Sequence, residues 1–217
     1  MKADSRNESK GAFTLIELLI LFCVFALLAA IIVPAFISAS HRVPKINCVN
    51  NLRQIELSFK TWAVDNGDKM PMELSVTNGG TRESALLGIA YPTFQVMSNE
   101  LSSTRLTVCF TDKSRKVAAN YGDLRTENVS YFVDVDITAT NTEAILTGDR
   151  NLSLNDEAVK PGLISITTNS LAGWTSEIHR NQGNLGMGDG SVRQESVKGL
   201  REVLGQTGFA TNRFAVP

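Results

Sequence analysis

The feature that most constrains this chain is an uncharged apolar stretch at residues 18 to 37. Twenty helical residues extend about 30 Å, which is the thickness of the hydrocarbon core of a bilayer. Fourteen of the twenty are Leu, Ile, Val or Phe, and together they favour insertion by roughly 4 to 8 kcal/mol. Glu17 lies at the edge of the stretch, where it costs less than the ~3 kcal/mol of an acid at the bilayer centre. The sequence therefore predicts a membrane-inserting helix.

Three other interpretations of this stretch stay open. The first is a signal peptide, although its apolar core is normally about 7 to 15 residues long; the segment Ser38-Ala39-Ser40 offers a small-x-small cleavage site. The second is a simple signal anchor, in which Glu17 has no special role. The third is a buried helix, but a helix that is apolar on all sides needs a large protein around it, and the rest of this chain is too small.

The residues at the start of the stretch carry a family resemblance. Phe13-Thr14-Leu15-Ile16-Glu17, followed by the apolar run, resembles the start of type IV prepilins and type II secretion pseudopilins. In that family a prepilin peptidase cuts before the Phe and the new amino terminus is methylated. A glutamate stands fifth in the mature chain, and a proline commonly stands twenty-second. Counted from Phe13, Glu17 is fifth and Pro34 is twenty-second, so two spacings agree.

The cleavage position departs from the family pattern. The family usually has Gly immediately before the cut, whereas this chain has Ala12, with Gly11 one residue earlier. A cut between Ala12 and Phe13 preserves both spacings, and a cut after Gly11 would make Glu17 sixth. The resemblance therefore implies removal of residues 1–12 and methylation of Phe13, with cleavage after Gly11 as the alternative.

Two residues of the predicted helix have expected structural roles. A carboxylate among packed apolar helices is costly unless it is paired, and the resemblance implies that Glu17 pairs with the charged amino terminus of a neighbouring subunit during assembly. The alternative is a glutamate at the headgroup level that contacts water. Pro34 lacks an amide hydrogen and predicts a helix kink, unless it only ends the membrane segment. With Pro44, it predicts a break or bend between the two prolines.

The domain organisation follows from these features. We expect a leader at residues 1–12, a transmembrane or filament-core helix at 13–37, an amphipathic helix at 38–66 and an extracytoplasmic domain at 67–217. The amphipathic helix has apolar residues at intervals of three or four and ends near Gly67; these residues are Ile46, Val49, Leu52, Ile55, Phe59 and Trp62.

The predicted fold class is α+β and pilin-like, with a small antiparallel sheet after the long N-terminal helix. Asp189-Gly190 predicts a hairpin turn, and residues 197–204 predict a short terminal helix. The expected strands lie at residues 106–110, 129–135, 144–147, 163–168, 184–187 and 191–195.

Later segments are similar to a subgroup of prepilin-like proteins. His179, nine further residues and then Asp189-Gly190 match a pattern common near the ends of such proteins. Cys109-Phe110 departs from it, because relatives tend to have Cys-Pro there. This resemblance restricts the possible folds more than it restricts the possible functions. The other similar segments are residues 48–54, 94–101, 145–152 and 212–214.

The residue patterns do not indicate an enzyme. His179 and Asp189 could form an acid–base pair, but a packed histidine and a turn aspartate explain them better. Neither a nucleophile motif, nor a phosphate loop, nor a cysteine–histidine spacing suited to zinc is present. We predict no cofactor; Asp134, Asp136, Asp149 and Asp189 could bind calcium, as major secretion pseudopilins do, but no matching loop motif supports this. A net charge of -1 does not suggest a nucleic-acid partner.

The cysteines leave one question open. Cys48 and Cys109 could pair in an oxidising compartment or remain two separate buried thiols, and sequence alone does not determine their geometry. Cys23 lies in the apolar stretch as a small hydrophobic residue.

The functional prediction is a structural subunit, a pilin or pseudopilin, of a type IV pilus or type II secretion pseudopilus. It would be a single-pass protein of the bacterial inner membrane, with its globular domain in the periplasm or in a surface filament. Its expected partners are the prepilin peptidase, other pilin or pseudopilin subunits and the pilus or secretion assembly machinery. The alternative is a membrane-anchored extracytoplasmic binding module that uses the leader without polymerising. A third candidate, an anchored extracytoplasmic hydrolase, is supported only by the possible acid–base pair of His179 and Asp189.

Overall fold

The computed structural model describes residues 14–217, and the side chains of residues 34–45 lie outside that description. The chain divides into two compact units, Met1–Val43 and Pro44–Pro217. Helix α1, Leu15–Asp65, contributes residues to both units.

The described part of the first unit is the N-terminal part of α1. Within it, Leu15–Val33 is long and apolar enough to cross a membrane, with a mean hydropathy of 3.1. Its side chains are all exposed, so the stretch has the properties expected of a single-pass membrane anchor. The predicted cleavage residues, Ala12 and Phe13, lie outside the described residues.

The helix assignment of α1 includes both Pro34 and Pro44. The side chains of both prolines lie outside the described part of the chain. The kink at Pro34 and the bend before Pro44 therefore stay predictions.

In the second unit, α1 presents an apolar face to the core, as the three- and four-residue spacing predicts. Leu52, Ile55 and Phe59 are fully buried and Trp62 is 5% exposed, whereas Ile46, predicted on the same face, is 56% exposed. The helix ends as expected, because the amide of Asp68 donates to the carbonyl of Ala63 at 2.8 Å. Gly67, with φ +70°, supplies the left-handed residue that such a terminus favours.

Short helices and strands follow α1. The helical elements are the 3₁₀ turns Pro71–Glu73, Val76–Asn78, Thr104–Thr107, Tyr121–Asp123 and Thr126–Asn128, and the helices α2 (Arg82–Leu86), α3 (Tyr91–Val96) and α4 (Val197–Gln206). The strands are β1 (Tyr131–Asp134), β2 (Ile145–Asp149), β3 (Leu152–Leu154), β4 (Glu157–Ala158), β5 (Gly162–Thr167), β6 (Ala172–Trp174), β7 (Gln182–Met187), β8 (Val192–Ser196) and β9 (Thr211–Val216).

The strands form two antiparallel sheets, which confirms the α+β class. The larger sheet has six strands in the order β5-β9-β1-β2-β7-β8, and the smaller has the order β4-β3-β6. The predicted hairpin is β7–β8, in which the amide of Gly190 donates to the carbonyl of Met187 at 2.8 Å. Gly190 has φ +88°, a conformation that glycine adopts without strain.

Several expected elements differ from the observed ones. The strand predicted at residues 106–110 is wrong, because Thr104–Thr107 is a 3₁₀ turn. The helix predicted at residues 197–204 exists as α4, but β9 follows it and pairs with β1 on one side and β5 on the other. Long-range pairing places β9 inside the sheet, and its short, mixed sequence carries no local signal of that position.

The core occupies both faces of the six-stranded sheet. Because neighbouring side chains of a strand point to opposite faces, Tyr131 and Val133 of β1 enter one apolar cluster and Phe132 enters the other. The first cluster includes the buried face of α1. The second lies between the sheet and α4, which contributes Leu200, Val203 and Leu204.

Candidate functional site

The start of α1 carries a reciprocal cap between Thr14 and Glu17. The backbone amide of Thr14 donates to Glu17 Oε2 at 2.8 Å, and its hydroxyl donates to the same oxygen at 2.9 Å. The amide of Glu17 donates in return to Thr14 Oγ1 at 3.4 Å. This is a capping box, in which each residue satisfies an amide that has no partner inside the helix. We did not predict it, although the Thr-x-x-Glu spacing before an apolar run is its sequence signal.

The predicted C-terminal motif does not bring its two polar residues together. Asp189 lies in the β7–β8 turn, where Oδ1 accepts from the amide of Ser191 at 2.7 Å. Lys60 donates to the backbone carbonyl of Asp189. His179 is instead 2% exposed and lies 3.3 Å from Asp149. The carboxylate neighbour of the buried histidine is therefore Asp149, and Asp189 has the turn role that we considered the better explanation.

The surroundings of His179 form a compact polar cluster inside the second unit. Its Nε2 lies 3.3 Å from Cys109 Sγ, 3.3 Å from Asp149 Oδ2 and 3.1 Å from Asn184 Nδ2. Its Nδ1 lies 3.4 Å from Thr111 Oγ1. Sequence reasoning missed this cluster because its residues come from three separate segments of the chain.

A disulfide between Cys48 and Cys109 borders this cluster. It joins α1 to the segment after Thr104–Thr107, with a Cα–Cα distance of 5.2 Å and a sequence separation of 61. The alternative of two separate thiols is therefore not the one that the structure adopts. The two sulfurs and a ring nitrogen of His179 all lie within 4.8 Å of one another.

Asp149, at the end of β2, is fully buried. Burial raises the pKa of its carboxyl to about 7, although hydrogen bonds from Asn184 partly oppose this increase. These bonds run from the backbone amide at 2.7 Å and from Nδ2 at 2.8 Å, both to Oδ2. Among the described residues Oδ1 has no hydrogen-bond partner. This oxygen is a buried acceptor beside the histidine.

Arg150, the residue after Asp149, is the centre of an ion-pair network. Arg150 donates to both carboxylate oxygens of Asp112, from Nε at 2.8 Å and from Nη2 at 2.9 Å, and it also pairs with Glu177. Burial alone would raise the pKa of Asp112, but the hydrogen bonds and charge of Arg150, with bonds from Ser130 and Ser114, lower it. The paired geometry assigns this network a structural role.

The four aspartates considered as calcium ligands do not converge. Asp134 ends β1 and is fully buried, whereas Asp136 lies beyond the strand and pairs with Arg213. Because Asp136 is not part of the strand, the two carboxylates do not share a strand face. Within the part of the chain that the structure describes, Cys48, Cys109 and His179 form a group of three potential metal ligands.

Glu56 is a further buried acid that we did not predict. Its Oε1 accepts from the hydroxyl of Thr147 at 2.5 Å, and its Oε2 has no partner among the described residues. Burial raises its pKa to about 8, with Thr147 and Lys60 opposing that shift. The signal was present in the sequence, because Glu56 lies on the same helix face as Leu52 and Phe59.

Comparisons of the chain with protein-family models, with curated proteins and with solved structures found no match.

Proposed function

We propose that this chain is a prepilin-like structural subunit of a type IV pilus or type II secretion pseudopilus. The observation that carries the proposal is the junction at residues 13–17, where a Phe-Thr-Leu-Ile-Glu sequence leads into the apolar part of α1. The proposed role is mechanical, with prepilin peptidase, other subunits and an inner-membrane assembly machinery as partners.

The exposure of Leu15–Val33 supports this role. A 19-residue apolar stretch with no part buried inside the chain requires lipid or other helices around it. Transfer of such a helix from lipid to a bundle of similar helices is nearly neutral in hydrophobic terms, because both surroundings are apolar. In the proposed mechanism the assembly machinery therefore drives the transfer, and specific contacts determine the register.

The capping box gives Glu17 a second role that an experiment must separate from assembly. A carboxylate has about four lone-pair sites, so Glu17, whose Oε2 caps Thr14, can also accept from the amino terminus of a neighbouring subunit. A charged pair between packed apolar helices requires both charges, because removal of one leaves the other buried and unpaired. The cap requires only an acceptor, and glutamine also supplies one.

The experiment compares Glu17→Gln, Glu17→Leu and Thr14→Ala in cells that carry the assembly machinery. We expect Glu17→Gln and Glu17→Leu to insert and be cleaved but to assemble at least about tenfold less. Loss of the charge pair needs to cost only about 1.4 kcal/mol to lower the assembly equilibrium tenfold. Thr14→Ala weakens the helix start by about 1 kcal/mol but keeps the charge, so it should assemble nearly as the parent does. The readout is the cross-linked ladder and the sheared filament fraction.

Glu143→Gln provides the matched control, because Glu143 is an exposed acid of the second unit. It should leave assembly unchanged. Parental assembly by Glu17→Gln, together with poor assembly by Thr14→Ala, would assign Glu17 to capping alone and would remove the charge-pairing step from the proposal.

Processing has its own measurement. Intact-mass and N-terminal sequence analysis of the membrane-extracted protein, with and without the peptidase, should show loss of residues 1–12 and a methylated Phe13. A mature chain that begins at Ala12 would place the cut after Gly11 instead. A chain that keeps its leader in cells with the peptidase would contradict the proposed family role.

A membrane-anchored extracytoplasmic binding module is the second candidate. The observation in its favour is an open cleft of about 490 Å³ on the second unit, whose lining includes Arg82, Asp136 and Arg213. Such a module would be cleaved and anchored but would give no cross-linked ladder through positions near Glu17. Absence of ladders in cells whose filaments form normally would favour this candidate.

A further inference from the structure

We propose that, when their disulfide is reduced, Cys48 and Cys109 form with His179 a binding site for Zn²⁺ inside the second unit. The three residues are buried, at 0%, 0% and 2% exposure, and their ligand atoms lie within 4.8 Å of one another. Two thiolates and one imidazole are a ligand set that favours zinc in tetrahedral geometry. This inference goes beyond the proposed function and does not depend on it.

The observed spacing is close to the one that a zinc ion requires. With Zn–S near 2.3 Å and Zn–N near 2.0 Å, a tetrahedral ion holds sulfur and nitrogen about 3.5 Å apart. Cys109 Sγ and His179 Nε2 are already 3.3 Å apart. The two sulfurs must separate to about 3.8 Å, and loss of the covalent bond allows this separation. The three protein ligands leave the fourth tetrahedral position for a water molecule.

The residues around the three ligands suit a cation. Thr111 Oγ1 lies 3.4 Å from His179 Nδ1, so it can hold this ring nitrogen while Nε2 exchanges its 3.1 Å contact with Asn184 Nδ2 for the ion. Metal-ligating histidines commonly have such a partner on the second nitrogen. Asp149 adds a buried carboxylate 3.3 Å from His179, and its Oδ1 has no hydrogen-bond partner among the described residues. A nearby cation would give that acceptor a favourable electrostatic contact.

The exchange between disulfide and metal site balances in electrons and protons. A dithiol reductant transfers two electrons and two protons to the Cys48–Cys109 bond, which yields two thiols while the reductant closes its own disulfide. Zn²⁺ then binds the two sulfurs as thiolates and displaces their two protons to solvent. Exchange with a second disulfide, which accepts two electrons and is reduced to a dithiol, would re-form the Cys48–Cys109 bond and release the ion, so the redox state determines whether the site exists.

A surface cavity adjoins the site. A cavity of about 460 Å³ reaches Cys109 and is lined in addition by Asn47, Asn51, Phe110 and Lys113, among others. The cavity brings a small reductant or a hydrated ion to the segment that carries Cys109, while Cys48 does not line it. Because Cys109 is itself fully buried, a local opening of this segment has to precede contact between its sulfur and the ion.

The experiment uses the full chain in a nonionic detergent, with Cys23→Ala to remove the exposed third thiol. One sample stays oxidised, and the other is reduced with a phosphine that is then removed without air. Zn²⁺ is titrated in competition with a chromogenic chelator, and Co²⁺ is added separately as a spectroscopic probe. We expect one Zn²⁺ per reduced chain, at least about 100-fold weaker binding to the oxidised chain, and a sulfur-to-cobalt charge-transfer band with tetrahedral d–d bands.

Variants assign the ligands. His179→Gln should weaken Zn²⁺ binding by at least about tenfold, and His41→Gln, at the only other histidine of the chain, should not change it. Cys48→Ala should remove the tetrahedral cobalt spectrum while Cys109 stays in place, and tryptophan emission reports whether each variant is folded. Equal Zn²⁺ binding by the reduced and oxidised chains, or by Cys48→Ala and its parent, would overturn the proposal. So would a reduced chain that shows no sulfur-to-cobalt band.

Discussion

Replacement of Glu56 by glutamine should change how the stability of the second unit depends on pH. Glu56 is fully buried on α1, and burial raises its pKa from 4.5 to about 8. The folded chain therefore holds this proton up to a higher pH than the unfolded chain does. Between pH 4.5 and about 8 the folded state binds more protons, so stability falls as the pH rises through that window.

The magnitude follows from the same two pKa values. One pKa unit corresponds to 1.36 kcal/mol, so the destabilisation grows to about 3 kcal/mol at pH 7 and to a limit of about 5 kcal/mol above pH 8. Glutamine has the same shape and carries no charge at any pH. It can still accept from Thr147, but its amide group brings donors to a site where one oxygen has no partner. That mismatch costs about 1 kcal/mol.

These two effects predict that the stability difference between the Glu56→Gln variant and the parent changes sign with pH. At pH 4.5 the Glu56→Gln variant should be less stable than the parent by about 1 kcal/mol. Above roughly pH 5 it should become the more stable protein, and the difference should widen towards pH 8. Because Asp134 and Asp149 also have raised pKa values near 7, only the difference between parent and variant isolates Glu56.

The assay is urea unfolding of the full chain in nonionic detergent at several pH values. The only two tryptophans, Trp62 and Trp174, are 5% and 4% exposed, so their emission follows unfolding of the second unit. Glu143→Gln, at an exposed position, is the matched control and should track the parent at every pH. A parent-minus-variant difference that is flat from pH 5 to 8 would refute the reasoning. It would mean that Glu56 is ionised in the fold and held by Lys60.

Two further predictions concern packing and the covalent link. A Cβ at Gly186 would meet Glu56 Oε1 at 1.8 Å, so Gly186→Ala should lower the free energy of unfolding in urea by about 1 to 3 kcal/mol. Gly205→Ala in α4, where a Cβ meets open space, should raise it by about 0.5 to 1 kcal/mol. Equal effects of the two substitutions would contradict the close contact at Gly186. Replacing Cys48 and Cys109 by alanine should cost about 4 kcal/mol, because the disulfide closes a loop of 61 residues, and unchanged stability would mean that the bond does not form in solution.

Local sequence signals were sufficient for the features that involve neighbouring residues. The membrane-compatible helix follows from contiguous apolar residues, whose transfer energies add along one segment. The β7–β8 hairpin follows from Asp189-Gly190, because the turn type depends on the backbone freedom of its own residues. The buried face of α1 follows from helical spacing at Leu52, Ile55 and Phe59.

The candidate sites in the second unit depended on the tertiary structure. Strand β9 becomes an interior strand only through its pairing with β1 and β5, which lie far from it in sequence. In the same way, Cys48, Cys109 and His179 lie on three distant segments and meet only when the sheet and α1 are assembled.

The sequence by itself determined the apolar helix, its family-like junction and the α+β class. Only the tertiary structure decided that Asp149 rather than Asp189 accompanies His179, that Cys48 and Cys109 pair, and that Glu56 is buried without a full set of partners. The physical reason is that hydrophobic pattern and turn propensity are properties of adjacent residues. Burial, long-range hydrogen bonds and ligand geometry are properties of residues that only the folded chain brings together.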